Sequence, residues 1–325
     1  MGYIAIRADP AAIRMRVLVT DPLAPEAVEL LRKAGHEADV KKLTPEDLLK
    51  VIHEYDALLV RSETKVTKPV LEAAKRLKVV GRAGVGVDNI DVEAAKARGI
   101  RVVNSPAAST NAVAELTLGH MLALARKIPE ADKSMHEGKW DKKAFQGFEL
   151  GGKTLGLIGF GKIGARVTQL AKALDMHVVI YDPYVTAEKA LQMGVARVEN
   201  VMDIAPRADF VSVHVPLTPE TKGLVGREFL SRMKKTGYVL NIARGGVVDE
   251  AALAEAVTAG TIAGAALDVF ENEPLKDSPL HGIPQIHLTP HLGASTEEAQ
   301  IKAGTQVVED VLRVFRNEPP QGLVV

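Results

Sequence analysis

Short apolar runs alternate with helical patterns along almost the whole chain. RVLVTD from Arg16, ALLVRS from Ala57, VVGRAG from Val79 and RVVN from Arg101 read as strands. Apolar positions at helical spacing predict helices over residues 25–34, 45–53, 70–76 and 91–97 between them. A second series starts at Thr154 and runs through TLGLI, HVVIY, FVSVHV, YVLNIA, GAALDVF and IHLTP, each ending where polar residues take over. Strand–helix–strand alternation of this kind predicts α/β architecture with parallel, doubly wound sheets. A long segment from Asn111 to Arg126 is apolar on most faces, the pattern of a helix buried between layers or between subunits. The last predicted helix covers residues 296–316, with Ser295 and Glu298 at capping-box spacing.

One stretch of this pattern carries specific chemistry. The strand ending at Ile158 runs into Gly159-Phe-Gly161-Lys162-Ile163-Gly164, then a helical pattern, then the strand ending at Tyr181 and Asp182. Strand, glycine turn, helix, strand and acid in that order are the context a dinucleotide site requires. Gly159 suits the tight turn, Gly161 the approach of a pyrophosphate, and Gly164 close packing of helix on strand. The helix N-terminus supplies N–H groups and a positive dipole end to the phosphates. Asp182 follows Gly164 by eighteen residues, where a carboxylate binds ribose hydroxyls and repels a 2′-phosphate. NAD is therefore the expected cofactor.

Composition narrows the picture. With 325 residues the chain is expected to form two domains. Formal net charge is zero, which gives no ground for nucleic acid or an anionic membrane as partner. The chain has no cysteine, so disulfides, thiolate metal sites and a cysteine nucleophile are excluded, and no metal is expected. No apolar run approaches membrane-spanning length, and a cytoplasmic location is expected. The first fourteen residues read as a loosely held extension, with Met15 an alternative start.

Open parallel sheets bind ligands beyond the carboxyl ends of their strands. That rule directs attention to Val215-Pro216, to Ile242-Ala243-Arg244 before Gly245-Gly246, to Asp268, and to His291 with Gly293 and Ala294. Arg244 has a planar fork suited to a carboxylate, yet it also reads as a surface arginine beside a turn. His291 can move a proton near neutral pH, and Glu273 can orient its imidazole, yet each alone also reads as a solvated loop residue. His36, His53 and His136 read as solvated bystanders.

GRAGVGVDNID, NIARGGVVDE, ALDVFENEP and PHLGAST, with the glycine motif, together resemble the D-isomer-specific 2-hydroxyacid dehydrogenase family. The likeness runs from about Arg16 to Arg316. It implies a Rossmann-type NAD domain, residues 106–291, inserted into a flavodoxin-like substrate domain made of residues 1–105 and 292–325. It implies Arg244, Glu273 and His291 as the catalytic group, with His291 carrying the proton, Glu273 stabilising the imidazolium and Arg244 orienting substrate. Asp268 is implied to hold the nicotinamide amide. Backbone N–H groups at Val85 and Gly86 are implied to receive the substrate carboxylate. Threonine is common where this chain has Val85, so a hydroxyl contact does not carry over.

The expected substrate is a phosphorylated 2-hydroxy acid, with Arg61 and Lys65 as candidate phosphate ligands. A reductase of glyoxylate or hydroxypyruvate and a non-enzymatic NAD-sensing binding module are the competing readings. A homodimer through the nucleotide domain is expected, with the Asn111–Arg126 helix as candidate contact. The chain stops soon after its last helix, so no further regulatory domain is expected.

Overall fold

The computed structural model describes residues 14–325. Apart from Arg14, the expectations for the N-terminal extension lie outside the described residues. The chain divides into two units: the described residues up to Ser109 together with Ala294–Val325, and Thr110–Gly293. The divisions fall a few residues beyond those expected, so Gly293 joins the nucleotide unit and Ala294 does not.

The first unit contains β1 (Arg16–Val19), α1 (Pro25–Lys33), β2 (Glu37–Val40), α2 (Pro45–Val51), β3 (Ala57–Val60), α3 (Lys68–Ala73), β4 (Val79–Arg82), α4 (Val92–Ala97) and β5 (Arg101–Asn104). Its strands are all parallel in the order β2-β1-β3-β4-β5, a flavodoxin-like arrangement. Thr44 and Asp91 cap α2 and α4 by accepting from Asp47 N and Ala94 N, which satisfies N–H groups that the helices leave unpaired. The strands of ALLV and VVGR are almost wholly buried, and in RVVN the two central valines are. β2 is absent from the hydrophobic pattern because EADV is charged. It lies at the sheet edge, half-exposed, where Arg16 bridges Glu37 and Asp39.

The second unit contains α5 (Thr110–Arg126), α6 (Ile128–His136), β6 (Thr154–Ile158), α7 (Lys162–Ala173), β7 (His177–Tyr181), α8 (Ala187–Gln192), β8 (Ala196–Arg197), β9 (Phe210–Val213), α9 (Arg227–Ser231), β10 (Tyr238–Asn241), α10 (Glu250–Thr258), β11 (Gly264–Leu267) and β12 (Ile286–Leu288). The order is β12-β11-β10-β9-β6-β7-β8, again all parallel. The chain reverses direction across the sheet between β6 and β9, and the carboxyl ends there form the switch point at which such sheets bind ligands. One face of the sheet packs on α5 and α7 through Met121, Leu124, Val167 and Ala171, and the other on α9 and α10 through Phe229, Leu230, Leu253 and Val257. Phe210 and Tyr238 stack at 5.2 Å with Phe148 beside them. After this unit the chain returns to the first through α11 (Glu297–Phe315), which packs on β4 and α1.

Two local expectations change, and one helix is added. Thr296, not Ser295, caps α11, accepting from Ala299 N, because the helix starts at Glu297 and Thr296 is the extended residue before it. His36 is not solvated: it is half-buried, edge-on to Phe315 at 5.1 Å, and burial, followed by the Arg316 charge, holds its pKa below the usual value. Residues 128–136 form α6, which leaves Ile128 and Met135 exposed and so gave a weak apolar signal. Among the described residues no helix is long and apolar enough to cross a membrane.

Candidate functional site

The glycine turn after β6 is built as its spacing predicts. Gly159 has φ +95°, and a Cβ there would meet the His214 carbonyl at 2.5 Å, so neither the conformation nor the space admits a side chain. Gly161 immediately precedes α7, and a Cβ on it would project into open space. That space, in front of the N–H groups of Lys162 and Ile163 at the helix start, is the cradle a pyrophosphate needs. Gly164 lies against the Gly159 carbonyl, 2.6 Å from where its Cβ would sit, so α7 starts tight on the turn. Asp182 Oδ2 accepts from Phe160 N at 2.7 Å and Oδ1 from Tyr184 N at 2.8 Å. Each oxygen keeps a second lone pair for a ribose hydroxyl. The carboxylate thus also ties the end of β7 to the glycine turn, a role spacing alone did not suggest.

On the other side of the switch point, β9 ends at Val213 and the Val215 side chain closes over Gly159, 2.7 Å from its missing Cβ. Pro216 is exposed, its carbonyl accepting from the Thr221 hydroxyl. Buried Asn241, at the end of β10, shapes the turn of Ile242, Ala243 and Arg244: its Oδ1 accepts from Ala243 N and its Nδ2 donates to the Arg244 carbonyl. Arg244 Nη1 donates to the Ala243 carbonyl at 2.8 Å. Gly245 admits no side chain, since a Cβ would lie 1.9 Å from the Phe270 carbonyl. This close approach sets the Arg244 turn directly against the loop that carries Glu273.

His291 and Glu273 meet, with Nδ1 and Oε2 2.7 Å apart. The other carboxylate oxygen of Glu273 accepts from Phe270 N at 3.1 Å. Burial pushes the Glu273 carboxyl up, but the His291 bond and charge, the Phe270 N–H and the Arg244 charge together hold it below its ordinary value. With Nδ1 committed to Glu273, Nε2 is the ring nitrogen left to face a reacting group. The sequence patterns that pointed to Arg244, Glu273 and His291 thus converge in one unit.

Asp268 accounts for the geometry of His291. It is completely buried at the end of β11. Its Oδ1 accepts from the Thr289 hydroxyl at 2.6 Å and from Leu292 N at 2.7 Å, and its Oδ2 from Gly293 N at 2.7 Å. Its backbone carbonyl accepts from His291 N. His291 has φ +54°, a left-handed conformation costly for a side-chain-bearing residue, and these bonds hold it there. Buried His120 of α5 reaches the Thr289 hydroxyl at 3.2 Å. Since that hydroxyl donates to Asp268, it accepts from His120 Nε2. Thr289, His120, Asn241 and the buried Glu250, whose Oε1 accepts from Glu271 N, escaped the sequence reading. Asn241, Glu250 and Thr289 lie within or beside the quoted motifs, whereas His120, in the middle of α5, carries no local signal.

The remaining candidates belong to the first unit and are described within it. Arg61 is half-buried, with Nη1 3.3 Å from the Pro22 carbonyl; Lys65 is exposed. Val85 and Gly86 are half-buried in the loop after β4, and the Val85 carbonyl accepts from Asn104 Nδ2. Ala294 is half-buried, its carbonyl accepting from Gln300 Nε2.

Residues 118–293 match the family model described as D-isomer specific 2-hydroxyacid dehydrogenase, NAD binding domain. The chain is 53% identical over 310 residues, 95% of its length, to a protein of Methanocaldococcus jannaschii named D-3-phosphoglycerate dehydrogenase, covering 59% of that relative. A second relative of that name, from Archaeoglobus fulgidus, is 49% identical with the same coverage, so the chain spans about three-fifths of the curated relatives it matches. Among solved structures, the TT0316 protein from Thermus thermophilus aligns with a TM-score of 0.88 at 38% identity, covering 96% of this chain and 100% of that one. An NAD+-bound 3-phosphoglycerate dehydrogenase in Entamoeba histolytica aligns with a TM-score of 0.81 at 31% identity, covering 96% and 99%. By the family match and these identities, and in keeping with its two parallel-sheet units, the chain belongs to the D-isomer specific 2-hydroxyacid dehydrogenase family.

Proposed function

We propose that the chain catalyses NAD-dependent oxidation of D-3-phosphoglycerate to 3-phosphohydroxypyruvate, the reaction that opens the phosphorylated route to serine. The observation that carries the chemistry is the 2.7 Å contact between His291 Nδ1 and Glu273 Oε2. It orients the imidazole and directs Nε2 to take the proton of the C2 hydroxyl, while Glu273 opposes the positive charge the ring then gains. Arg244 polarises the C2 oxygen and orients the acid. When bound, NAD supplies the acceptor for the hydride that leaves C2. The turn at Gly159–Gly164, the start of α7 and Asp182 are the residues that would hold it, and the open space at Gly161 fits its pyrophosphate. The Asp182 carboxylate disfavours a 2′-phosphate by like charge.

The phosphorylated substrate is supported by the names of the relatives at 53% and 49% identity. In this reading the Val85 and Gly86 amides take the carboxylate, and Arg61 with Lys65 takes the phosphate. Removing an arginine–phosphate contact from a desolvated site costs on the order of 2–5 kcal/mol. Arg61→Ala is therefore expected to lower kcat/KM for 3-phosphohydroxypyruvate far more than for hydroxypyruvate. Equal losses would instead favour a reductase of unphosphorylated 2-oxo acids.

A homodimer in the cytoplasm completes the reading. What supports the dimer is that Leu122, Ile128, Met135 and Trp140, on and after α5 and α6, are exposed apolar side chains that a second copy would cover.

A further inference from the structure

The loop that bears Arg61 is held from both sides by side chains with no other evident task. β1 and β3 are parallel neighbours, paired Val17 with Ala57 and Val19 with Leu59. Continued past the strand ends, that register sets Asp21 opposite Arg61. Asp21 is only 3% exposed. Its Oδ2 accepts from Arg61 N at 2.6 Å, Thr64 N at 3.1 Å and Glu63 N at 3.2 Å, and its Oδ1 from the Thr64 hydroxyl. Three N–H groups converging on one oxygen bend residues 61–64 into a turn. From the other side, Asn89 Nδ2 donates to the Arg61 carbonyl at 2.8 Å and the Thr64 carbonyl at 2.7 Å. Asn89 belongs to the loop after β4 that also presents Val85 and Gly86. Val66 N donates to the Asn89 carbonyl and Asp91 N to the Val66 carbonyl, so the two loops are joined by backbone as well. The Val85 end is fixed in turn by Asn104 Nδ2 and by Ser105 N, which donates to the Gly84 carbonyl.

We propose that Asp21 and Asn89 are positioning residues that hold the Arg61–Lys65 loop at a set spacing from the Val85–Gly86 amides, and so select acids by the distance between their two charged ends. This rests on the phosphate reading of Arg61. The physical reason is that two anionic ends bound by separate loops gain from each other only if the loops keep their separation before binding. Neither residue needs to touch the substrate. Asn89 is the stronger determinant, because its one amide spans the turn and the carboxylate loop, whereas Asp21 shapes the turn alone.

The test compares Asn89→Ala, Asp21→Ala, Asp21→Asn and Arg61→Ala in NADH-dependent reduction of 3-phosphohydroxypyruvate and of hydroxypyruvate. Asn89→Ala and Asp21→Ala are expected to raise KM for the phosphorylated acid roughly tenfold or more, with kcat changed by no more than about threefold and a several-fold smaller loss on hydroxypyruvate. Asp21→Asn is expected to recover most of the loss, since an amide oxygen still accepts from the three N–H groups. Amide hydrogen exchange at residues 61, 63 and 64 is expected to quicken in Asp21→Ala. A selective loss in Arg61→Ala with equal losses on both acids in Asn89→Ala would overturn the clamp and leave the phosphate reading standing. A non-selective Arg61→Ala would overturn both. Unchanged exchange in Asp21→Ala would overturn the clamp on its own, whatever the kinetics.

Discussion

The two units are built alike and use their strand ends differently. Both are parallel sheets whose loops gather at the carboxyl edge, and in both a buried aspartate at a strand end accepts several N–H groups from a neighbouring loop. In the seven-stranded unit, Asp268 holds a side chain in place: it stabilises the left-handed backbone of His291 and so aims an imidazole. In the five-stranded unit, Asp21 holds a stretch of backbone and leaves the Arg61 side chain half-exposed. Proton transfer demands one ring nitrogen at one place. Recognition of a doubly anionic acid demands a spacing between loops. On the proposed reading the same carboxylate device serves both, and what differs is whether the clamped segment ends in a reactive side chain.

The contrast can be broken at several points. The largest effect is expected from His291→Ala, a loss of about 10²–10⁴ in kcat on every substrate, the scale of a removed acid–base group. Near-normal turnover in steady-state assays would remove the basis for setting the two loops apart. Asp182→Ala comes next. Hydrogen bonds to a charged group contribute about 1.5–3 kcal/mol, so Kd for NAD is expected to rise roughly ten- to a hundredfold, with the margin over NADP narrowed. A wild-type protein that binds NADP more tightly in calorimetric titration would contradict the cofactor assignment.

Asp268→Ala sharpens the comparison with Asp21. It leaves the Thr289 hydroxyl and two N–H groups without their acceptor, at about 1–3 kcal/mol for each buried donor left unmet. Both a lower Tm and a lower kcat on phosphorylated and unphosphorylated acids alike are expected. A selective loss on one substrate class would show that Asp268 acts on recognition after all.

The smallest and most diagnostic change is Glu273→Gln. Removing the negative partner takes the charge from beside the imidazole, and the change is read in how stability depends on pH. The folded-state pKa of Glu273 lies below its ordinary value. Its contribution to stability is therefore present above the unfolded pKa and fades as pH falls through the folded one. The Tm difference between wild type and Glu273→Gln is accordingly expected at neutral pH and to shrink below about pH 4. A difference that grew on acidification would mean the carboxyl is not stabilised in its charged form.

Much of this is legible in the sequence. The glycine turn and Asp182 are local in sequence, and each is dictated by backbone sterics and charge within one strand–turn–helix unit. Arg244 and His291 lie just past strand ends, where such sheets bind ligands, but each alone also fits a surface residue; resemblance to the family's motifs singled them out together with Glu273. β2 was missed because an edge strand need bury only one side, and EADV has no apolar run to betray it. α6 was missed for the related reason that exposed Ile128 and Met135 break the amphipathic pattern.

The sequence by itself determined the class of architecture, a glycine turn suited to a nucleotide and the residue types able to move a proton, because periodicity, glycine and charge act over a few neighbouring positions. Tertiary structure alone decided that Asp268 would seize the His291 loop, that His120 would reach Thr289 across 169 positions, and that Asp21 and Asn89 would close on Arg61. A buried polar group must find its partner wherever the fold puts one. Here the partners come from a helix, a loop or a strand end distant in sequence, so no local pattern announces them.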